Sequence, residues 1–189
     1  MQNANKTRGV GPLGGSGIVG RWGGSSLVRS VQRGVITYNS ATQATATITA
    51  VDVNNSIVIW LGQDNGGVCQ DDTGRMRIDL NSATTVRATR QSNNAYGSSV
   101  SFEVIEFEPG LIKQRQAISG TFSSSPLNTT ITAVNMNKTI VFFNGCDDPA
   151  ASSCSYTFMR ISLASTTTVN FTSGATNSQV TFATVVEFY

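Results

Sequence analysis

Residues 47–62 read TITAVDVNNSIVIWLG, and residues 130–145 read TITAVNMNKTIVFFNG. Nine of these 16 positions are identical at a gapless offset of 83: Thr47, Ile48, Thr49, Ala50, Val51, Asn54, Ile57, Val58 and Gly62 all recur. At the same offset Met76-Arg77-Ile78-Asp79-Leu80 returns as Met159-Arg160-Ile161-Ser162-Leu163, and Thr84-Thr85-Val86 as Thr167-Thr168-Val169. Val104-Ile105-Glu106-Phe107 reappears as Val185-Val186-Glu187-Phe188 after small length changes. Matched segments in the same order mark a tandem duplication of a unit of about 80 residues.

Each copy reads as strands. Arg75 to Leu80 alternates strictly, which places Met76, Ile78 and Leu80 inward and the charges outward. Ile57 to Leu61 is apolar on both faces, as in a strand buried between two layers. Asn54-Asn55 and Asn137-Lys138 supply turns ahead of that strand in the two copies. Over residues 101–108 Phe102 and Val104 share one face while Ile105 and Phe107 take the other, which fits either a bulge or two packed faces. No segment carries ten residues of helical periodicity. About six strands per copy imply two tandem β-sandwich or barrel-like domains, at residues 28–108 and 109–189, joined through Glu108-Pro109-Gly110.

Composition agrees and excludes several chemistries. The chain has 189 residues, with only 13% charged and a net charge of +2, while serine and threonine supply 22 and 23 residues. Uncharged polar and β-branched residues suit half-buried pleated surface. There is no histidine, which removes Ser-His-Asp and Cys-His catalysis, histidine zinc sites and the commonest general base. The longest purely apolar run, Ile57 to Leu61, falls far short of the roughly 20 residues that span a bilayer. The N-terminus lacks a signal-peptide apolar core, so the expectation is synthesis in a cytoplasm without export, and no membrane partner.

Residues 1–27 differ from the rest. Eight glycines fall within the first 26 positions, and Lys6, Arg8, Arg21, Arg29 and Arg33 precede the first acid, Asp52. Residues 1–51 therefore carry +5 and the remainder −3. Such a stretch cannot bury enough apolar surface to order itself, so it reads as an extended arm that needs another surface. Val10, Leu13, Ile18, Val19 and Trp22 are scattered apolar anchors. Arg8, Leu13, Ile18, Arg21, Trp22 and Arg29 are the expected partner-binding residues, with Trp22 beside Arg21 the leading hot spot. Five charges over 51 residues are too sparse for nucleic acid; an acidic protein surface fits better.

The loops 63–75 and 146–158 hold the remaining reactive residues. Asp64, Asp71-Asp72 and Asp147-Asp148 offer oxygen ligands, but neither loop has calcium-loop spacing, and no metal is expected. Cys146 and Cys154 lie close enough in one loop to form a disulfide, with Cys69 left over or bonded to another chain. Three cysteines and no histidine leave a zinc site one ligand short. Gly14-Gly15-Ser16-Gly17 lacks the phosphate-loop Gly-Lys-Ser/Thr. Trp60 reads as part of the buried strand, which leaves Tyr96 and Tyr156 as exposed aromatics. No catalytic residue and no cofactor emerge, and an enzyme is not expected.

Gln-Arg-Gly-x-Ile-Thr at 32–37, Ala-Thr-Ile-Thr-Ala-Val at 46–51, Ser-Ile-Val-Ile-Trp-Leu-Gly at 56–62 and Val-Ser-Phe-Glu-Val-Ile-Glu-Phe at 100–107 resemble a β-rich module of tailed-bacteriophage virion proteins. Copy two replaces Gln-Arg-Gly with Gln-Ala-Ile at 116–118. The resemblance covers nearly everything after residue 27. It implies a structural virion protein whose arm, followed by two β-domains, has the layout of a capsid decoration or cement protein. Such proteins commonly form homotrimers bound to the major capsid protein or other virion proteins. The alternative is a tail-fibre or receptor-binding module for host surface glycans.

Overall fold

The computed structural model describes residues 27–38, 41–65, 75–90, 97–122, 125–147, 159–173 and 179–189. The chain is all-β. Its strands are β1 (Val28–Tyr38), β2 (Gln43–Thr47), β3 (Ser56–Asn65), β4 (Arg77–Ser82), β5 (Thr85–Thr89) and β6 (Ser98–Phe107). They continue with β7 (Ile112–Phe122), β8 (Leu127–Thr130), β9 (Thr139–Asp147), β10 (Met159–Ser165), β11 (Thr168–Ser173) and β12 (Gln179–Phe188). Short 3₁₀ turns at Val53–Asn55 and Met136–Lys138 precede β3 and β9.

All strand pairs are antiparallel. One three-stranded sheet runs β1-β6-β3, another runs β10-β11-β8, and a six-stranded sheet runs β2-β5-β4-β9-β12-β7. The long sheet crosses from the first half of the chain to the second between β4 and β9, where Arg77 pairs with Gly145.

The pairings of residues 28–107 recur in residues 112–188, and so do the hydrogen bonds that fix them. Gln32 uses its side-chain amide as a strand partner: Nε2 donates to Thr49 O and Oε1 accepts from Thr49 N. Gln116 does the same with Thr132. Ile48 N donates to Thr84 O and Val51 N to Ala83 O, matched by Ile131 N to Thr167 O and Val134 N to Thr166 O. Asp52 Oδ1 accepts from Asn54 N to cap the first 3₁₀ turn, and Asn135 Oδ1 accepts from Asn137 N to cap the second. Near the end of each unit a buried glutamate ties these parts together. Glu106 accepts from Asp52 N, Ser30 Oγ and Arg29; Glu187 accepts from Asn135 N, Gln114 Nε2 and Lys113 Nζ. The Lys113 and Gln114 hydrogen bonds hold the Glu187 carboxyl below its ordinary range.

Burial follows the pattern read from sequence except at the end of the run Ile57 to Leu61, where Leu61, the extra residue of a bulge between Trp60 and Gly62, is exposed. Met76, Ile78 and Leu80 are buried. Residues 98–107 resolve into a strand with two packed faces: Phe102 and Val104 enter the first core, and Ile105 and Phe107 a separate one. The turn expected at Asn54-Asn55 is the first 3₁₀ turn. Both loop starts differ: Gln63, Asp64 and Asn65, read as loop residues, extend β3. Cys146 and Asp147, read as loop residues, belong to β9 and are buried. The hydrogen bond from Val180 N to Asp147 Oδ1 and the β12 pairing carry the strand past the expected loop start.

The two halves fill equivalent cores differently. Gly34 lies opposite Phe102, and a Cβ on it would sit 2.6 Å from the Phe102 ring. The counterpart pair is Ile118 opposite Ala183. A second exchange accompanies the first: Ala88 in the first core corresponds to Phe171 in the second. The large aromatic thus enters from β6 in one half and β11 in the other, and where glycine makes room for the Phe102 ring an isoleucine stands opposite the smaller Ala183. Phe102→Ala should cost about 3–5 kcal/mol in chemical denaturation. Transplanting the other solution whole, with Gly34→Ile, Ala88→Phe and Phe102→Ala together, should recover most of that loss. A triple variant no more stable than Phe102→Ala alone would show that the exchanges are not compensatory.

Candidate functional site

The chemistry-bearing side chains gather where the two halves meet. β3 places Ile57 and Ile59 outward from the first core, because an antiparallel strand alternates its faces. There they join Ile105, Phe107, Ile112, Phe142, Val186 and Phe188 in a third core. The Phe107 and Phe188 rings meet edge to face at 5.7 Å between centroids.

Polar contacts stitch the rest of this seam. Asn144, itself buried, donates from Nδ2 to Val58 O at 2.7 Å and accepts from Thr184 Oγ1 at 2.8 Å. Arg115 Nε donates to Ser56 O at 2.8 Å, and burial draws its guanidinium below the usual arginine range. Arg77 Nε lies 2.7 Å from Oδ2 of Asp147, whose side chain is fully buried, and the guanidinium stacks 4.4 Å above the Phe182 ring. Further along, Tyr38 is buried with Arg90 over its ring at 4.9 Å, and that burial pushes the phenol well above its ordinary range.

A cleft of about 300 Å³ opens along the seam. Its lining includes Trp60, Gln63, Arg75, Met76, Phe143 and Met159. Trp60 and Phe143 stand edge to face at 6.4 Å. Trp60 and Phe143 are counterparts in the repeat, as are Met76 and Met159. Trp60 is half-buried and faces this cleft, whereas the sequence placed it wholly inside a buried strand. Trp60 keeps its register with Phe102 and packs against the first core, but it stands where that core ends and the cleft begins, so part of its ring stays open.

Arg8, Leu13, Ile18, Arg21 and Trp22 lie outside the described residues, as do Cys69, Asp71, Asp72, Tyr96, Asp148, Cys154 and Tyr156. The expected Cys146–Cys154 pairing falls partly on them; Cys146 lies in β9 and lines the cleft. Arg29 is on β1, where it reaches Glu106 at 3.3 Å while more than half of its side chain stays exposed. Among the described residues no group of three or more His, Cys, Asp or Glu is placed to hold a metal ion, and no helix is long and apolar enough to cross a membrane.

The sequence reading missed the seam residues Arg115, Asn144, Arg77 and Asp147. A signal for two of them was available. Arg115 and Asn144 occupy the positions of Val31 and Leu61 in the first copy, and a polar residue replacing an apolar one in one copy alone marks a contact that the copies do not share.

No family model, curated protein or solved structure matches this chain.

Removing one partner of a buried ion pair leaves the other uncompensated. Asp147→Ala should therefore cost about 3–5 kcal/mol in denaturant unfolding. Replacing both charges while keeping the acceptor for Val180 N, Arg77→Met with Asp147→Asn, should restore most of that stability. A double variant as unstable as the single one would show that the pair is not what matters at this position.

Proposed function

We propose that this chain is a non-catalytic structural protein of a tailed-phage virion, a capsid decoration or cement protein. It consists of an extended arm, residues 1–27, and two tandem β-domains, residues 28–108 and 109–189. The arm fastens it to the major capsid protein or a neighbouring virion protein, and the domains form the projecting body of a homotrimer.

The observation that carries this reading is how the buried ionisable side chains are used. Glu106, Glu187 and Asp147 direct their oxygens at backbone N–H groups and at cations of neighbouring strands. A catalytic carboxylate needs an oxygen free to meet a substrate. These serve as fasteners, and a doubled body built on such fasteners suits a rigid part of an assembly. Lys6, Arg8 and Arg21, with no acid among residues 1–27, support the arm as the element that meets an acidic partner, while Arg29 and Arg33 pair with Glu106 and Glu103 on β6.

The aromatic-walled cleft at Trp60 and Phe143 favours a second reading, a tail-fibre or receptor-binding module for host surface glycans. Aromatic faces are the usual platforms for sugar rings. The cleft belongs to the seam that joins the two halves, which ranks this reading second.

Deleting residues 2–26 separates the readings. The truncated protein should keep its far-ultraviolet β spectrum and cooperative unfolding, yet no longer co-sediment with particles that lack the protein. Undiminished particle binding after truncation would remove the arm from its assigned role and the cement reading with it.

A further inference from the structure

The seam's polar contacts join non-equivalent positions of the two halves, so each of them has a second version that the chain itself does not use. The second half brings to the seam the outer faces of β7 and β9, through Arg115, Asn144 and Asp147. The first half brings the turn Val53–Asn55, Ile57 and the edge of β4 at Arg77. The counterparts of the second-half set are Val31, Leu61 and Asp64. Val31 is 39% exposed, Leu61 is 54% exposed, and Asp64 lies open to solvent. The counterparts of the first-half set are Met136, Ile140 and Arg160. Met136 is 43% exposed, Ile140 is 50% exposed, and Arg160 lies open to solvent.

These four apolar residues account for most of the exposed large hydrophobics among the described residues. The others are Val35, on the same outer face of β1, and Leu27 and Tyr189 at the ends of the described chain. Neither Asp64 nor Arg160 has an ion-pair partner among the described residues, whereas their counterparts Asp147 and Arg77 are paired with each other. The glycines repeat the pattern. A Cβ on Gly145 would meet Met76 O at 2.3 Å because β4 presses against it, while Gly62 keeps a φ of 126° with nothing within 4 Å. The first half thus presents an open socket and the second half an open plug.

We propose that copies of this chain associate head to tail, the outer face of β1 and β3 in one receiving the β9–β10 edge of the next. Val31 and Leu61 pack on Met136 and Ile140, and Asp64 pairs with Arg160, so the contact between chains repeats the seam within the chain. Such a contact joins two different patches and therefore propagates until a ring closes. The aromatic pairs indicate where the axis runs: residues beside a rotation axis meet their own counterparts, as Trp60 meets Phe143 and Phe107 meets Phe188. Three chains place six repeat units around that axis, in keeping with the homotrimer proposed above. The contact itself does not depend on a place in the virion.

Sedimentation velocity on the full chain tests this. The wild-type protein should sediment as one closed oligomer larger than a dimer. Leu61→Glu and Ile140→Glu, both at exposed positions, should each sediment as folded monomers. Mixed together, they should form a one-to-one heterodimer and nothing larger, because each retains one intact patch. Asp64→Arg and Arg160→Asp should each weaken assembly, and the two in one chain should restore it. A monomeric wild type would overturn the proposal, as would an oligomer indifferent to Leu61→Glu and Ile140→Glu, or two variants that fail to combine. Loss of particle binding on arm deletion with the oligomer intact would bear on the arm alone.

Discussion

The approach of β4 to β9 at Gly145 is the constraint on which the rest of the molecule depends. With Met76 O 2.3 Å from the place a side chain would begin, and Arg77 Cα at 2.9 Å, only glycine allows the two backbones to pair. That single pairing joins sheet strands from both halves into one ladder of six. It also sets Arg77 beside Asp147 and Phe182, closes the third core around Ile57 and Val186, and leaves the cleft at Trp60. A methyl group at position 145 would push all of these apart at once.

Duplication supplied two copies of each feature, and divergence gave them different work. The framework was kept: the Gln32 and Gln116 amides, the Asp52 and Asn135 caps, and the Glu106 and Glu187 fasteners hold equivalent strands in equivalent ways. The cores were refilled with the large aromatic on a different strand. The surfaces diverged furthest, with Arg115 and Asn144 turned into seam residues while Val31 and Leu61 stayed apolar and open. An interface that works once within a chain is available again between chains, and the proposed function of a rigid, repeating body in a larger assembly follows from that economy.

Much of this was legible in the sequence because local rules governed it. The alternation from Arg75 to Leu80, the doubly apolar Ile57 and Val58, and the turn residues at 54–55 each specify their own burial. The two-faced strand at 98–107 was half legible: period two showed which side chains share a face, but only the packing partner on the far side decided between bulge and double burial. Asp147 was misplaced for a related reason. An aspartate after Gly-Cys has the composition of a loop, and distant groups, Arg77 seventy residues earlier and the Val180 N–H, make its burial tolerable. Trp60 was misjudged because the apolar run does not record where along the strand the core ends and the cleft begins. The cleft and seam are products of long-range pairing, which no local pattern records.

The central claim is that the seam is core and makes residues 28–107 and 112–188 one cooperative body. Native-state hydrogen exchange tests it most directly. The slowest amides of β6 and those of β12, central strands of the two halves, should exchange with the same opening free energy and the same denaturant dependence. Two distinct opening energies, with one half exchanging while the other stays protected, would contradict it.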